Sequence, residues 1–342
     1  MNHPQELAKN LRLIFSSLNI FSPTGFHFAG QQFYTQSEPA ASAGNRPLQN
    51  PMIALLQQTL YLHCYSQRFS GHLADIPAAS SDDFIRELAV ANRSRERWLS
   101  GWQITQTLPS GQVTAVQNGQ TRTLWPGEFI TEDGPAAPPR PGARIRVFAP
   151  KESATMQPGF YFAFGETASE SYELANAVRF YWNIDADGAP QLMELLTQRF
   201  NRFQIPFRFK CSSNRAFYYR IDSAILFVSR RHYQIATQML RELYPQVQAH
   251  LRPKTPLFTQ PLAPGLAFAE EPATGESFGM SRCRLLAEGV WSAYMNGSQT
   301  QQARWQALQA QFAQNGLLLE RPHLRAGSVG CYEWPKLGGE SA

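Results

Sequence analysis

The sequence predicts an α+β protein in which a mixed or antiparallel sheet is flanked by helices. Two segments, Val178–Ile184 and Ile205–Cys211, alternate apolar and polar residues in the manner of β-strands. An amphipathic helix is predicted between them, over Pro190–Phe203. Elsewhere helices and strands follow one another without a strict β–α–β rhythm, and this favours α+β.

The two strands carry cations on one face. Arg179 and Tyr181 share the polar face of the first strand, and Arg208 and Lys210 share that of the second. A lone strand arginine usually faces solvent, and a tyrosine in such a position can simply pack against a neighbouring strand. Several cations and a phenol in fixed geometry, however, suit the binding of phosphate and the transfer of a proton.

The remaining elements fall on either side of a Pro- and Gly-rich break at Thr131–Gly142, which is predicted to be a linker or a long loop. The break predicts an N-terminal helical and small β region at 1–135 and a main domain at 143–335. The elements predicted before it are helices at Gln5–Leu18, Asn50–Phe69 and Asp82–Asn92 (N-cap Ser81), a hairpin of Trp102–Leu108 and Gln112–Val116, and a strand at Gln120–Trp125. Those predicted after it are strands at Ala143–Ala149 and Gly159–Phe164, one or two strands within Ala216–Val228, and helices at Arg231–Leu251, Ser281–Met295 and Gln301–Asn315.

Composition narrows the function classes. The chain has 342 residues, 43% of them hydrophobic, and no apolar run approaches the ~18 residues of a membrane span. Its start lacks the layout of a secretory signal, and its four cysteines form no CxxC pair. A net charge of +5 without a dense basic block fits an anionic ligand rather than nucleic acid or a membrane. We therefore expect a cytoplasmic protein without a metal cluster.

Five separated motifs carry a family resemblance: Val178–Asn183, Ile205–Cys211, Thr255–Thr259, Leu262–Leu266 and Gly275–Gly289. Together they resemble the HopA family, named after a type III effector of plant-pathogenic bacteria, over roughly Ala143 to Tyr332. Similar proteins occur beside kinases in gene clusters for ribosomally made, modified peptides of the lanthipeptide and thioamitide kind. The resemblance implies a phosphoserine/phosphothreonine lyase that converts a phosphorylated precursor peptide to dehydroalanine or dehydrobutyrine. It implies as partners that peptide and a kinase of aminoglycoside-phosphotransferase-like type, and no metal or other cofactor.

A more distant similarity, to phosphothreonine lyases of the OspF and SpvC type, implies a related fold and assigns roles. Those enzymes carry Lys-Phe-His on a strand and a second lysine about thirty residues later. Here Arg179 and Tyr181 replace the Lys and His of the first pattern, and Lys210 stands at the second lysine, the catalytic base. The candidates for phosphate binding are Arg208, Arg220 and Arg282.

The chemistry explains these residue types. β-Elimination removes the α-proton of a phosphorylated residue while phosphate leaves the β-carbon. A neutral lysine amine can take the proton, but a free lysine, with a pKa of about 10.4, is charged at neutral pH. Neighbouring arginines lower that pKa, and a phenol such as Tyr181 can protonate the leaving oxygen. Lys151 is a further candidate for phosphate binding, and His323 is an alternative acid. A lysine in such a position is more often a charge on a loop, and a lone histidine is more often structural.

Two function classes remain open. One is the metal-free lyase. The other is a non-catalytic phosphate-recognising or protein-binding module, as an effector descendant would be. A binding module would need the arginines but would tolerate the loss of Lys210. In the lyase hypothesis the region before the break is a docking platform for the leader peptide or the kinase.

Overall fold

The computed structural model describes residues 3–35, 50–134, 137–169, 176–330 and 332–333. Within these ranges the chain forms seven α-helices and three antiparallel sheets, which confirms the prediction of an α+β fold. The helices are α1 (His3–Ser17), α2 (Pro51–Leu60), α3 (Phe84–Ala91), α4 (Ala189–Arg202), α5 (Tyr233–Val247), α6 (Phe278–Met295) and α7 (Gln301–Gln314). Across these described ranges, no helix has the length and apolar character needed to cross a bilayer.

The strands form a three-stranded, a five-stranded and a seven-stranded sheet. The three-stranded sheet contains β1 (Leu18–Ser22), β2 (Gly25–Phe28) and β3 (Gln31–Tyr34) in that order. The five-stranded sheet has the order β6–β5–β4–β8–β7 and contains β4 (Arg97–Thr107), β5 (Val113–Gln117), β6 (Gln120–Leu124), β7 (Phe129–Thr131) and β8 (Arg144–Ala149). The seven-stranded sheet has the order β14–β15–β11–β13–β12–β10–β9 and contains β9 (Glu152–Ser153), β10 (Phe160–Phe164), β11 (Ala177–Trp182), β12 (Phe207–Ser212), β13 (Ala224–Ser229), β14 (Gln260–Ala263) and β15 (Leu266–Glu270).

Helices cover both faces of the seven-stranded sheet. The face that bears Phe180 and Phe209 shares a hydrophobic core with α3, α4 and α5. The face that bears Tyr181 and Phe227 shares another core with α1, α2, α6 and α7. Because the second face is covered as well, its polar side chains lie inside the protein. Arg179, for example, is only 6% exposed, so the solvent-facing interpretation of this residue is wrong.

Strand register sets the spacing on this second face. Tyr181 of β11 lies opposite Ile225 of β13, which lies opposite Lys210 of β12. In the adjacent row, Arg179 of β11 and Arg208 of β12 both lie opposite Phe227 of β13, one on each side of it. The two predicted strands are therefore next-nearest neighbours, separated by β13.

Several predicted boundaries differ from those in the structure. The helix predicted over 50–69 is an α-helix only as far as Leu60. The next residues, Tyr61–Tyr65, form a π-helical turn. Ser81 does not cap α3, which begins after Asp83 without a side-chain cap. The region predicted to hold one or two strands begins instead with a 3₁₀ turn, Arg215–Tyr219, because the Asn214 side chain accepts a hydrogen bond from the backbone amide of Ala216. The strands β1–β3, β7, β9, β14 and β15, which have two to five residues each, were not predicted.

The Pro- and Gly-rich break connects β7 to β8, and these two strands pair within one sheet. Residues 135–136 of the break lie outside the described part. The N-terminal α1 and α2 pack in the same core as α6 and α7. Helices from both ends of the chain therefore cover the sheet face that carries Arg179, Arg208 and Lys210, which is called the cationic face below.

The packing of α6 on α7 gives a stability prediction. A Cβ atom at Gly289 would lie 2.9 Å from Cα and 3.0 Å from the backbone nitrogen of Leu308. Alanine normally favours a helix over glycine by about 1 kcal/mol, but here the helices must separate, so we expect Gly289→Ala to lower the free energy of unfolding by about 1–3 kcal/mol. Urea denaturation measures this change in the free energy of unfolding, and Ser292→Ala in the same helix is the near-neutral control. A Gly289→Ala protein as stable as the wild type would contradict this packing.

Candidate functional site

Lys210 lies at the centre of the cationic face and is 9% exposed. Its Nζ atom donates a hydrogen bond to Oε1 of Gln157 at 3.0 Å and lies 4.2 Å from the centre of the Phe160 ring. Burial is the largest influence on this amine, followed by the charge of Arg179. Together they lower the pKa of Lys210 to about 8, against the partly opposing effect of Asp222.

Arg179 forms a buried ion pair with both carboxylate oxygens of Glu271. Its Nη1 atom is also 3.5 Å from the hydroxyl of Tyr181. Burial alone would lower the pKa of Arg179, but Tyr181 and Glu271 raise it above its usual value. Burial raises the pKa of Tyr181, so the phenol keeps its proton at neutral pH. The structure thus brings a proton donor and a fixed cation to adjacent rows of the same sheet face.

Arg208 shares its face of β12 with Lys210. Its guanidinium carbon lies 4.6 Å from the ring centre of Phe227, and that of Arg179 lies 5.0 Å from the same ring. The Nε atom of Arg208 is buried, and no hydrogen-bond partner for it occurs among the described residues. Burial lowers the pKa of Arg208. A half-buried guanidinium with an unused, buried donor atom is a natural contact for a bound anion.

Arg220 is engaged within the protein. Its Nε and Nη2 atoms donate to the two carboxylate oxygens of Asp222, each at 2.9 Å, and Nη2 also donates to the hydroxyl of Tyr61 at 3.0 Å. Burial opposes the charge, yet Asp222 and Tyr61 raise the pKa of Arg220 above its usual value. Its charge also contributes to the lowered pKa of Lys210.

Arg282 is buried in α6 and binds backbone. It donates from Nε to the carbonyl oxygen of Pro322 and from Nη2 to that of Leu324, both at 2.7 Å. Its guanidinium also packs over the ring of Phe278. Burial lowers the pKa of Arg282 to about 10. These contacts anchor the segment 322–324 to α6.

The two further candidates lie away from Lys210. Lys151 is within 3.5 Å of both the Ala89 carbonyl and the Glu152 carboxylate, beside the end of α3. The His323 ring packs against Phe268, which lies on the opposite face of the sheet from Tyr181. The structure therefore groups Lys210, Tyr181, Arg179, Arg208 and Arg220, while Arg282 is held by backbone carbonyls and Lys151 and His323 lie elsewhere.

The sequence analysis did not identify the residues that surround these cations: Glu271, Asp222, Tyr61 and Gln157. Only the pairing of Asp222 with Arg220 had a signal in the sequence, because the two oppositely charged residues are two positions apart. The others come from distant segments, and only tertiary structure brings them close. Among the described residues, no group of three or more His, Cys, Asp or Glu side chains is placed to hold a metal ion.

Comparison with known proteins identifies the family. A profile of the HopA1 effector protein family matches residues 151–324, just over half of the chain. The chain belongs to this family, as the sequence motifs predicted. No curated protein matches it in a sequence search.

Two solved structures are similar to part of the chain. One is an effector protein from Pseudomonas syringae pv. tomato strain DC3000, with 22% identity and a TM-score of 0.39, over 51% of this chain and 66% of that protein. The other is an effector protein from Pseudomonas syringae pv. syringae strain 61, with 19% identity and a TM-score of 0.37, over 49% of this chain and 63% of that protein. The chain thus spans less than two thirds of either structure.

The contacts of Arg282 predict a structural role that can be tested. Arg282→Lys cannot reach both carbonyl oxygens, and it leaves buried acceptors without donors, so we expect a loss of more than about 2 kcal/mol in unfolding free energy. Arg284→Lys in the same helix keeps its charge beside Glu276 and Glu288, and it should cost less than about 1 kcal/mol. Thermal and urea unfolding of both variants provide the measurement. Equal stability would show that the carbonyl contacts are dispensable.

Proposed function

We propose that this protein is a phosphoserine/phosphothreonine lyase that eliminates phosphate from a peptide. The observation that carries the proposal is the placement of Lys210, a buried amine with a pKa near 8, on the same strand face as Arg208, a half-buried arginine whose buried Nε atom is an unused donor. The Cα atoms of two residues that are two apart on a strand are separated by about 6.6 Å, so the two side chains start close together on one face.

In the proposed reaction, neutral Lys210 takes the α-proton of the phosphorylated residue. The electrons of the carbon–hydrogen bond form the new carbon–carbon double bond, and the bond from the β-carbon to oxygen breaks. Phosphate leaves with that electron pair. With a pKa of about 8, roughly a tenth of Lys210 is neutral at pH 7, compared with less than a thousandth for a lysine in water. The hydrogen bond to Gln157 holds the amine in place.

The cations and the phenol take separate parts. Arg208 contacts the phosphoryl group, because its Nε atom has no competing acceptor among the described residues. Arg179 and Arg220 hold internal carboxylates, so they are not free to bind phosphate; the charge of Arg179 adds to burial in lowering the pKa of Lys210. Tyr181 is the proposed acid for the leaving oxygen, since it keeps its proton and lies on the same sheet face.

The resemblance to the HopA family supports the biological setting of the proposal. In that setting the substrate is a precursor peptide phosphorylated by a partner kinase, and the product contains dehydroalanine or dehydrobutyrine. The region 1–135 is the proposed docking platform for the leader peptide or the kinase, and 143–335 the proposed lyase domain.

The alternative is a non-catalytic module that recognises phosphate or a protein. The observation in its favour is that Glu271 and Asp222 already neutralise two of the cations. Such a module would bind a phosphopeptide and release it unchanged.

The proposal is tested with a synthetic phosphoserine peptide, with EDTA present and nucleotide omitted. We expect free phosphate and a peptide lighter than the unphosphorylated parent by one water, because a phosphatase would instead restore the alcohol. Lys210→Arg should lower the rate about 10²- to 10⁴-fold, since arginine stays charged. Lys9→Arg, at an exposed site on α1, is the matched control.

If the isolated peptide does not react, the protein is co-expressed with a kinase and precursor peptide from its gene neighbourhood, so that binding energy from the leader is available. Recovery of only phosphorylated peptide there, with the protein folded, would reject the lyase and support the binding module. Wild-type rates in Lys210→Arg would reject Lys210 as the base.

A further inference from the structure

A cavity of about 340 Å³ lies where the five-stranded sheet meets the cationic face of the seven-stranded sheet. Three arginines line it: Arg97 from β4, Arg122 from β6 and Arg208 from β12. None of the described residues that line this cavity is acidic. Glu166 acts on Arg97 and Glu271 on Arg208 from outside the lining. Three arginines around a space with no acidic side chain among its described lining residues create a site for an anionic group.

The hydrogen bonding of the arginines strengthens this conclusion. The Nε atoms of Arg97 and Arg208 are both buried without a hydrogen-bond partner in the described part of the chain. Arg97 uses only Nη2, which is 3.4 Å from the carbonyl of Gly165. Both arginines are half-buried, and burial lowers the pKa of both groups. Arg122 packs over Trp102 and is otherwise exposed. Unused donors on buried cations are costly unless a ligand accepts from them.

The remaining wall of the cavity is largely apolar. Phe148, Phe164 and Phe227 contribute their rings, and Met156 lies beside Gln157, the partner of Lys210. A simple inorganic anion would leave these rings facing water. A ligand that joins a carboxylate to a large apolar side chain would cover them and would pair with the arginines as well.

We infer that the cavity binds an acidic, aromatic stretch of the peptide substrate next to its phosphorylated residue. The inference rests on the proposed function. Arg208 contacts the phosphoryl group, and Arg97 and Arg122 take the carboxylate of a neighbouring residue. Arg97 and Arg122 lie before residue 151, outside the segment that matches the family profile. The five-stranded sheet therefore gives this chain a preference for acidic substrates that the matched segment alone does not provide.

Fluorescence anisotropy tests the inference with two labelled, unphosphorylated peptides. The first is Glu-Phe-Ala-Ser-Ala-Phe-Glu, and the second carries Gln in place of both Glu residues. The wild-type protein should bind the acidic peptide about tenfold or more tightly than its neutral counterpart, as expected for charge-assisted hydrogen bonds. The double variant Arg97→Gln/Arg122→Gln should lose that preference. Arg146→Gln, exposed on the same sheet and outside the cavity, should keep it.

Equal affinity of the wild type for the two peptides would overturn the inference, as would an unchanged preference in the double variant. Arg122→Gln alone, at an exposed position, provides the same comparison if the double variant does not fold. The phosphoserine forms of both peptides separate this inference from the proposed function. Phosphate release without an acidic preference rejects the subsite alone. An acidic preference without phosphate release from either peptide leaves the subsite in place, and the lyase is then decided by the co-expression with kinase and precursor peptide.

Discussion

The burial of a charged sheet face is the constraint on which the structure depends. Helices from both ends of the chain cover the face that carries Arg179 and Lys210, so these charges leave water when the protein folds. An unpaired buried ion costs several kcal/mol, and the ion pair of Arg179 with Glu271 offsets that cost for the arginine. Lys210 forms no ion pair with a carboxylate of the described residues. Its remaining way to lower the cost is to lose its proton, which is why its pKa falls toward 8.

This constraint links stability to the proposed chemistry. Burial and the charge of Arg179 lower the pKa of Lys210, whereas Asp222 opposes them and offsets the smaller effect of Arg220, so a larger fraction of the amine is neutral than for a lysine in water. Arg208 retains an unused donor at the edge of the same face, toward the cavity. In the proposed reaction, the base and the anion contact would therefore be in place before the substrate arrives, and little reorganisation would be needed at the reaction step. On a solvent-exposed face, the pKa of the lysine would not be lowered by burial, and the arginine donors would be bonded to water.

Local pattern was sufficient to predict which side chains share a face, because alternation has a period of two in any strand. It paired Tyr181 with Arg179 and Lys210 with Arg208 correctly. It did not reveal that β13 lies between their strands, because strand order is a non-local property. Glu271 was missed for the same reason, since it is far in sequence from the arginine that it neutralises. The sequence also could not distinguish an arginine available to phosphate from Arg282, whose donors are used by carbonyls of a segment forty residues away.

The most direct test of the central claim is the titration of Lys210 by NMR, with ¹³C-methylated lysines and Lys210→Arg to assign the signal. The account predicts that this lysine titrates near pH 8, well below the ~10.4 of the exposed lysines. The two variants Phe227→Leu and Arg179→Met should have different effects on the pKa of Lys210. Removal of the Arg179 charge should raise the Lys210 pKa, whereas Phe227→Leu keeps all charges and should change it little. A Lys210 signal that titrates above pH 10 in the wild-type protein would contradict the account, because only about a thousandth of the amine, or less, would then be neutral and able to act as a base at pH 7.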